Sequence, residues 1–216
     1  MEKKYEITNE THPNNSSLKR IKSLKYFNGI QKGDLGGFVE KESNLSHEGD
    51  CWVFGDAKVC GDAKVFGNAV VSGNARVFGD AKVCGDAKVF GNAVVSGDAN
   101  VFGNARVFGN AEVFENAKVC GDAKVFGNAV VSGNARVFGN ATLRNKVKTT
   151  NKVKSFILSN HVIAIEGNYL NIGCISLTVN QWLEQYKELG NKNGYSEDEI
   201  EEYGNVIKMI KMMYFK

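Results

Sequence analysis

Proline occurs once, at Pro13, and histidine only three times in 216 residues. No run of about 18 apolar residues exists, which excludes a membrane-spanning helix. The opening MEKKYEITNE has no apolar core of a signal peptide, so a cytoplasmic location is expected. Neither sign of charge dominates: Lys+Arg 27 against Asp+Glu 24 leaves a net +3, too balanced to argue for nucleic acid. The five cysteines are odd in number and form no CxxC pair. That excludes a disulfide framework or a zinc ribbon and leaves cysteine as a small apolar residue in a reducing compartment. What is abundant is glycine, 24 residues, and with so little proline this reads as a chain of many tight corners.

The corners are periodic. KVFGNAVVSGNARVFG runs from Lys64 to Gly79 and returns unchanged from Lys124 to Gly139. From Val53 to Thr142 the chain reads as fifteen hexads of the form V-[FCS]-G-[DN]-A-x, the third position being Gly except at Glu115. A longer duplication overlies them, Lys58–Ala81, Lys82–Ala105 and Lys118–Ala141 matching as blocks of four hexads. A period of six does not fit a helix, and Gly-Asp or Gly-Asn in every hexad would break one. Within A-x-V-[FCS] the alternation is strand-like, with Ala and Val on one side and x with Phe, Cys or Ser on the other. Because x is often Lys or Arg, that second side is outside and the Ala/Val side is the core. The Gly-Asn/Asp pair makes the corner, and since Glu115 replaces a Gly without disturbing the pattern, the Asp/Asn position is expected to take the left-handed conformation.

The hexads resemble the hexapeptide repeat of left-handed parallel β-helices. The resemblance implies three hexads per triangular coil, aliphatic residues inside, and the left hand, since crossovers between parallel strands are otherwise right-handed. The expected fold is mainly β: a hexapeptide-repeat solenoid of about five coils, about 24 Å tall at ~4.8 Å per strand, with a small β cap before it and an α+β domain after it. The expected boundaries are 1–52, 53–142 and 143–216.

Residues three hexads apart then form ladders on three faces. The first carries Phe54, Ser72, Phe90, Phe108 and Phe126 beside Trp52, Val70, Lys88, Arg106 and Lys124. The third carries Phe66, Cys84, Phe102, Cys120 and Phe138 beside Lys64, Lys82, Asn100, Lys118 and Arg136. The second mixes Cys60, Phe78, Ser96, Phe114 and Ser132 with Lys58, Arg76, Val94, Glu112 and Val130. The first and third faces combine aromatic and basic residues with no acid, and their Phe, Lys and Arg are the candidate binding residues. Three readings stay open: a surface for an anionic partner, a subunit interface, and a self-covering ladder of Phe and Lys stems. The stacked corner Asp62, Asp80 and Asp98 lacks the D-x-D spacing of calcium-binding nonapeptides and reads as solvated turns, so no metal is expected.

In the flanks, KYEIT, LKRIKSLKYF and the segment after GDLGG read as cap strands, with His47 a cap residue. Arg144, Lys146, Lys148, Lys152 and Lys154 form a basic stretch, read as a linker or charge-protected edge. SFILSNHVIAIEG and YLNIGCISLTV read as two strands. Thr178-x-x-Gln181 and Ser196-x-x-Glu199 are capping boxes opening helices at Val179–Leu189 and Glu197–Tyr214. The second helix keeps an apolar stripe of Ile200, Tyr203, Ile207 and Ile210.

These flanks, GDLGGFVE with NLSHEGDCWVFGDA and LNIGCISLTVNQWLEQYKELGNKNGYSEDEIEEY, resemble a group of phage and prophage hexapeptide-repeat proteins of unassigned activity. The resemblance implies a mobile-element context in a bacterial host. Many hexapeptide-repeat proteins are acyltransferases using a His base beside loops that interrupt the coils. Here His12, His47 and His161 all lie outside the hexads, no loop interrupts them, and Cys60, Cys84 and Cys120 merely alternate with Phe and Ser. The expectation is therefore a non-catalytic, cofactor-free binding protein, phage- or prophage-encoded, whose rigid surface binds and blocks a host macromolecule as an anti-defence inhibitor. The partner is a host protein or a protein–nucleic acid complex. A homo-oligomer, dimer or trimer, is also expected, and the alternatives are a structural scaffold forming a symmetric oligomer or, less favoured, an acyltransferase.

Overall fold

The computed structural model describes residues 2–144, 148–149, 154–157, 162–166, 168–172 and 175–215. Lys146, Lys152, His161 and Cys174 lie outside the described residues. Cap and solenoid form one compact unit and the C-terminal sheet and helices a second.

The repeat folds into a parallel β-solenoid. Lys88–Val89 pairs with Val70–Val71 below and Arg106–Val107 above, so each coil is three hexads long. The same offset builds three sheets, which place the ladders on the faces expected from the hexads. Every Val that heads a hexad and every Ala at its fifth position is buried, at no more than 1% exposure. Through the fifteen hexads Val and Ala alternate around each coil against identical neighbours one coil away, so a change of size is felt by the residues above and below. The solenoid makes about six turns rather than five. In-register pairing continues beyond the hexad consensus, with Leu45 bridging Val65 at one end and Lys148–Thr149 on Val130–Val131 at the other. Because the duplication spans four hexads and the coil three, the block at Lys82 starts one face further round than the block at Lys58, while the block at Lys118 begins two full coils later on the same face as Lys82.

The corner expectation is corrected. The left-handed residue is the Gly, with φ between +60° and +71° through the hexads, and Glu115 adopts φ +59° in its place. Corners stack directly, and a Cβ on Gly103 would lie 3.0 Å from the Gly121 nitrogen. The following Asp or Asn is instead selected for its side chain. Asn68 Nδ2 donates to Asp86 Oδ1 at 3.0 Å, Asn104 to Asp122 at 3.0 Å, and Asn92 to Asn110 at 3.0 Å. On the corner Asn68, Asp86, Asn104, Asp122 and Asn140 amide and carboxylate alternate, so like charges do not stack there. At Glu115 the carboxylate accepts from the Gly133 N–H on the next coil, which offsets the backbone strain. Glu115→Ala keeps the strain and loses the acceptor, and is expected to cost about 1 kcal/mol in urea unfolding. Glu115→Gly should be near neutral, and equal loss in both variants would refute this account.

The cap begins as an antiparallel meander: β1 (Tyr5–His12), β2 (Asn15–Ser23) and β3 (Leu35–Val39). β3 then runs parallel to Lys58–Val59 and joins the second face. An open first coil has unpaired carbonyls, and buried polar side chains satisfy them. Lys4 Nζ donates to Gly49 O at 3.1 Å and Cys51 O at 2.8 Å, and contacts Cys51 Sγ at 3.2 Å. Asn44, fully buried, donates to Gly61 O and Ala63 O and accepts from the Glu40 and Lys41 N–H groups. Burial lowers the Lys4 pKa and raises that of Cys51, so the thiol stays protonated.

In the C-terminal unit each strand expected from the sequence is a hairpin. Lys154–Ile157 pairs with Val162–Glu166, and Tyr169–Ile172 with Ile175–Thr178, giving a four-stranded antiparallel sheet. Both capping boxes form, opening α1 (Val179–Lys192) and α2 (Glu197–Tyr214). The stripe Ile200, Tyr203, Ile207 and Ile210 is core, packed with Trp182, Leu170 and Ile163.

Candidate binding surfaces of the solenoid

A hexad repeat wound three to the coil converts a sequence pattern into columns. On the first face the rings of Phe90, Phe108 and Phe126 stack with centroids 4.8 and 4.7 Å apart and planes 2° from parallel. They cover one another and are half-buried. Beside them stand Lys88, Arg106 and Lys124, all exposed, and no described residue forms an ion pair with any of them. Beyond the rings runs the amide corner Asn74, Asn92, Asn110 and Asn128, hydrogen-bonded in series. Phe54 is separated from the stack by Ser72. Trp52, expected on this surface, is 1% exposed because Tyr5 and Phe27 of the cap pack edge-on against it.

The third face uses the same residue types differently. Cys84 and Cys120 interrupt the column, so Phe66, Phe102 and Phe138 have no stacked neighbour among the described residues and are 39%, 38% and 43% exposed. Two rungs at ~4.8 Å separate one ring from the next by about 9.6 Å. Lys64, Lys82 and Arg136 are exposed and Lys118 half-buried. Partial burial pushes both thiols above their usual pKa, so neither is an activated nucleophile.

The histidines of the described residues serve the cap. His47 Nδ1 accepts from the Lys4 N–H at 3.1 Å, its Nε2 lies 2.9 Å from Glu42 Oε1, and its ring stacks on Tyr5 at 4.4 Å. Lys3 and His47 hold the Glu42 carboxyl below its ordinary pKa. His12 lies edge-on to Phe38 at 4.8 Å. Asp62, first of the stacked Asp corner, is engaged by Lys41 Nζ at 2.6 Å. Among the described residues no group of three His, Cys, Asp or Glu side chains is placed to hold a metal ion. No described helix is long and apolar enough to cross a membrane.

The C-terminal unit has one feature that the sequence did not announce. A cavity of about 100 Å³ is walled by Trp182, Tyr186, Tyr195, Tyr203, Ile172 and Ile200 among others. Gly190 and Gly204 let α1 and α2 approach closely, an added Cβ lying 2.5 Å from Ile200 and Tyr186 respectively. A comparison of the chain with protein-family models finds no match, and neither does one with curated proteins.

Proposed function

We propose that the protein is a non-catalytic binding protein whose first face engages an acidic macromolecular surface. The observation that carries this reading is the acid-free column Lys88, Arg106 and Lys124 standing beside a self-stacked phenylalanine plate. Stacked rings hold the plate flat, and unpaired cations on a rigid sheet retain their full attraction for a partner's acids. Rigidity favours binding because little side-chain and backbone freedom is left to lose. The resemblance of the flanking phrases to phage and prophage proteins supports a bacterial host macromolecule as partner, bound and blocked rather than processed.

The test is capture from bacterial lysate by the immobilised protein and by Lys88→Glu/Arg106→Glu/Lys124→Glu. The triple reversal is expected to weaken capture at least about tenfold, and rising salt should weaken capture by the original protein. Absorbance at 260 and 280 nm of the eluate separates protein from nucleic acid. Equal capture by both forms, or none by either, would overturn the reading. Phe90→Ser/Phe108→Ser separates plate from cations, and Ser72 on the same ladder indicates that the fold accepts the change.

A further inference from the structure

The rungs of the third face are built about their central column. They read Lys64-Val65-Phe66-Gly67-Asn68, Lys82-Val83-Cys84-Gly85-Asp86, Asn100-Val101-Phe102-Gly103-Asn104, Lys118-Val119-Cys120-Gly121-Asp122 and Arg136-Val137-Phe138-Gly139-Asn140. A cation or amide stands two residues before the Phe/Cys column, and an acid or amide two residues after it. The rungs ending in Asp are the two that begin with Lys and centre on Cys. Lys82, Lys118, Asp86 and Asp122 take part in no ion pair among the described residues. Asp86 and Asp122 each accept a hydrogen bond from the corner amide one rung before, which leaves their charge unneutralised.

We propose that the third face is the interface between two copies of this chain, related by a two-fold axis that runs along the Phe/Cys column, parallel to the solenoid axis. An isologous interface must be complementary to itself. This axis keeps every rung at its own height and reverses its direction, so the position two before the column meets the position two after it. Lys82 then faces Asp86 of the second copy, Lys118 faces Asp122, and Asn100 faces Asn104. Lys64 and Arg136 face the corner amides Asn68 and Asn140. On the axis Phe66, Phe102 and Phe138 each meet their own copy, which removes from water three of the four exposed phenylalanines of the solenoid. Stacked sheets lie ~10 Å apart, a gap that the outward rings fill.

Charge selects this arrangement over its competitors. An axis running along the strands lays the basic column against itself, and like charges directly opposite repel. A two-fold along the ring column of the first face sets Lys88, Arg106 and Lys124 against Asn92, Asn110 and Asn128, with no acid to meet them. On the second face Arg76 would meet Asp80, but Val94 would meet Asp98, Glu112 would meet only Asn116, and Asp62 is already engaged by Lys41, so that face is less fully self-complementary. The third face is thus self-complementary, and the first remains open to a different partner.

The experiment is light scattering on a sizing column. The native chain is expected to run as a dimer. Lys82→Asp/Lys118→Asp and Asp86→Lys/Asp122→Lys are each expected to run at half that mass, and mixing the two variants to restore the dimer, because the reversed acids of one chain then meet the reversed cations of the other. A short thiol-reactive crosslinker should join native copies through Cys84 and Cys120, and the product should vanish in Cys84→Ser/Cys120→Ser. A monomeric native chain overturns the proposal, as does a dimer that both charge reversals leave intact. Should the reversed variants fail to fold, crosslinking of the native chain decides. A product that survives both cysteine substitutions, or no product at all, overturns it.

Discussion

Trp52→Ala is expected to lower the unfolding free energy by about 3–5 kcal/mol, the cost of emptying a buried aromatic site. Trp52 occupies the outward position of its hexad, the position that carries Val70, Lys88, Arg106 and Lys124 on later rungs of the same face. An outward tryptophan is tolerable only because the cap covers it. Tyr5 and Phe27 pack against it at 6.2 and 5.4 Å, and Tyr5 in turn shares its hydroxyl proton between Glu42 O and Leu45 O. Removing the indole withdraws the surface on which the cap rests, and it exposes the first coil. Solenoid stability is a sum over neighbouring units, so an unsealed end lowers the whole array rather than one contact. The second of the two tryptophans, Trp182, lies in the C-terminal unit, and its fluorescence reports that unit alone in the variant. Circular dichroism of the β-rich part should show the loss. A change below about 1 kcal/mol would mean that the cap holds without Trp52.

Much of this was legible because a hexad repeated fifteen times has a single consistent folding. Alternation put Val and Ala inside, and the three-hexad coil then assigned Phe90, Phe108 and Phe126 to one column and Phe66, Phe102 and Phe138 to another. Three things were not legible. The sequence points to the wrong corner residue because Glu115, an exception in sequence, is strained in structure and rescued by a contact to Gly133 that no local pattern announces. The fate of Trp52 and the polar closure by Lys4 and Asn44 depend on segments far apart in the chain meeting at the coil end, and they follow no period. Each apolar run of the C-terminal sheet is continuous in hydrophobicity and predicts a single strand, and only the pairing of Ile157 with Val162 and of Ile172 with Ile175 shows two strands in each. At the candidate surfaces the residue types were readable. Whether rings stack on themselves or stand apart was decided by the Cys rungs between them.

Val101→Asp is the second change of large effect, and it tests the interior instead of the end. Val101 is fully buried, its ladder neighbours along the axis are Val83 and Val119, and every hexad of the repeat offers the same Val and Ala lining. A carboxylate there finds no cation, since all Lys and Arg of the repeat point outward, and the backbone N–H groups of the coils are already spent on their neighbours, as in Phe102 N to Val119 O at 2.9 Å. An unpaired buried charge costs at least about 3–5 kcal/mol, or forces the acid to stay protonated with its hydroxyl unsatisfied. The position matters as much as the charge. Val101 lies midway along the repeat, so a failed coil there leaves two short stacks, each of which exposes Val and Ala at a new end without a cap. The expected outcome is loss of the cooperative unfolding transition of the solenoid at neutral pH, partly regained on acidification as the carboxyl takes up a proton. Ala or Ser at the same position should only lower the midpoint. A cooperative transition within about 1 kcal/mol of the native chain at neutral pH would show that the interior admits water, and the dry Val/Ala core would have to be abandoned.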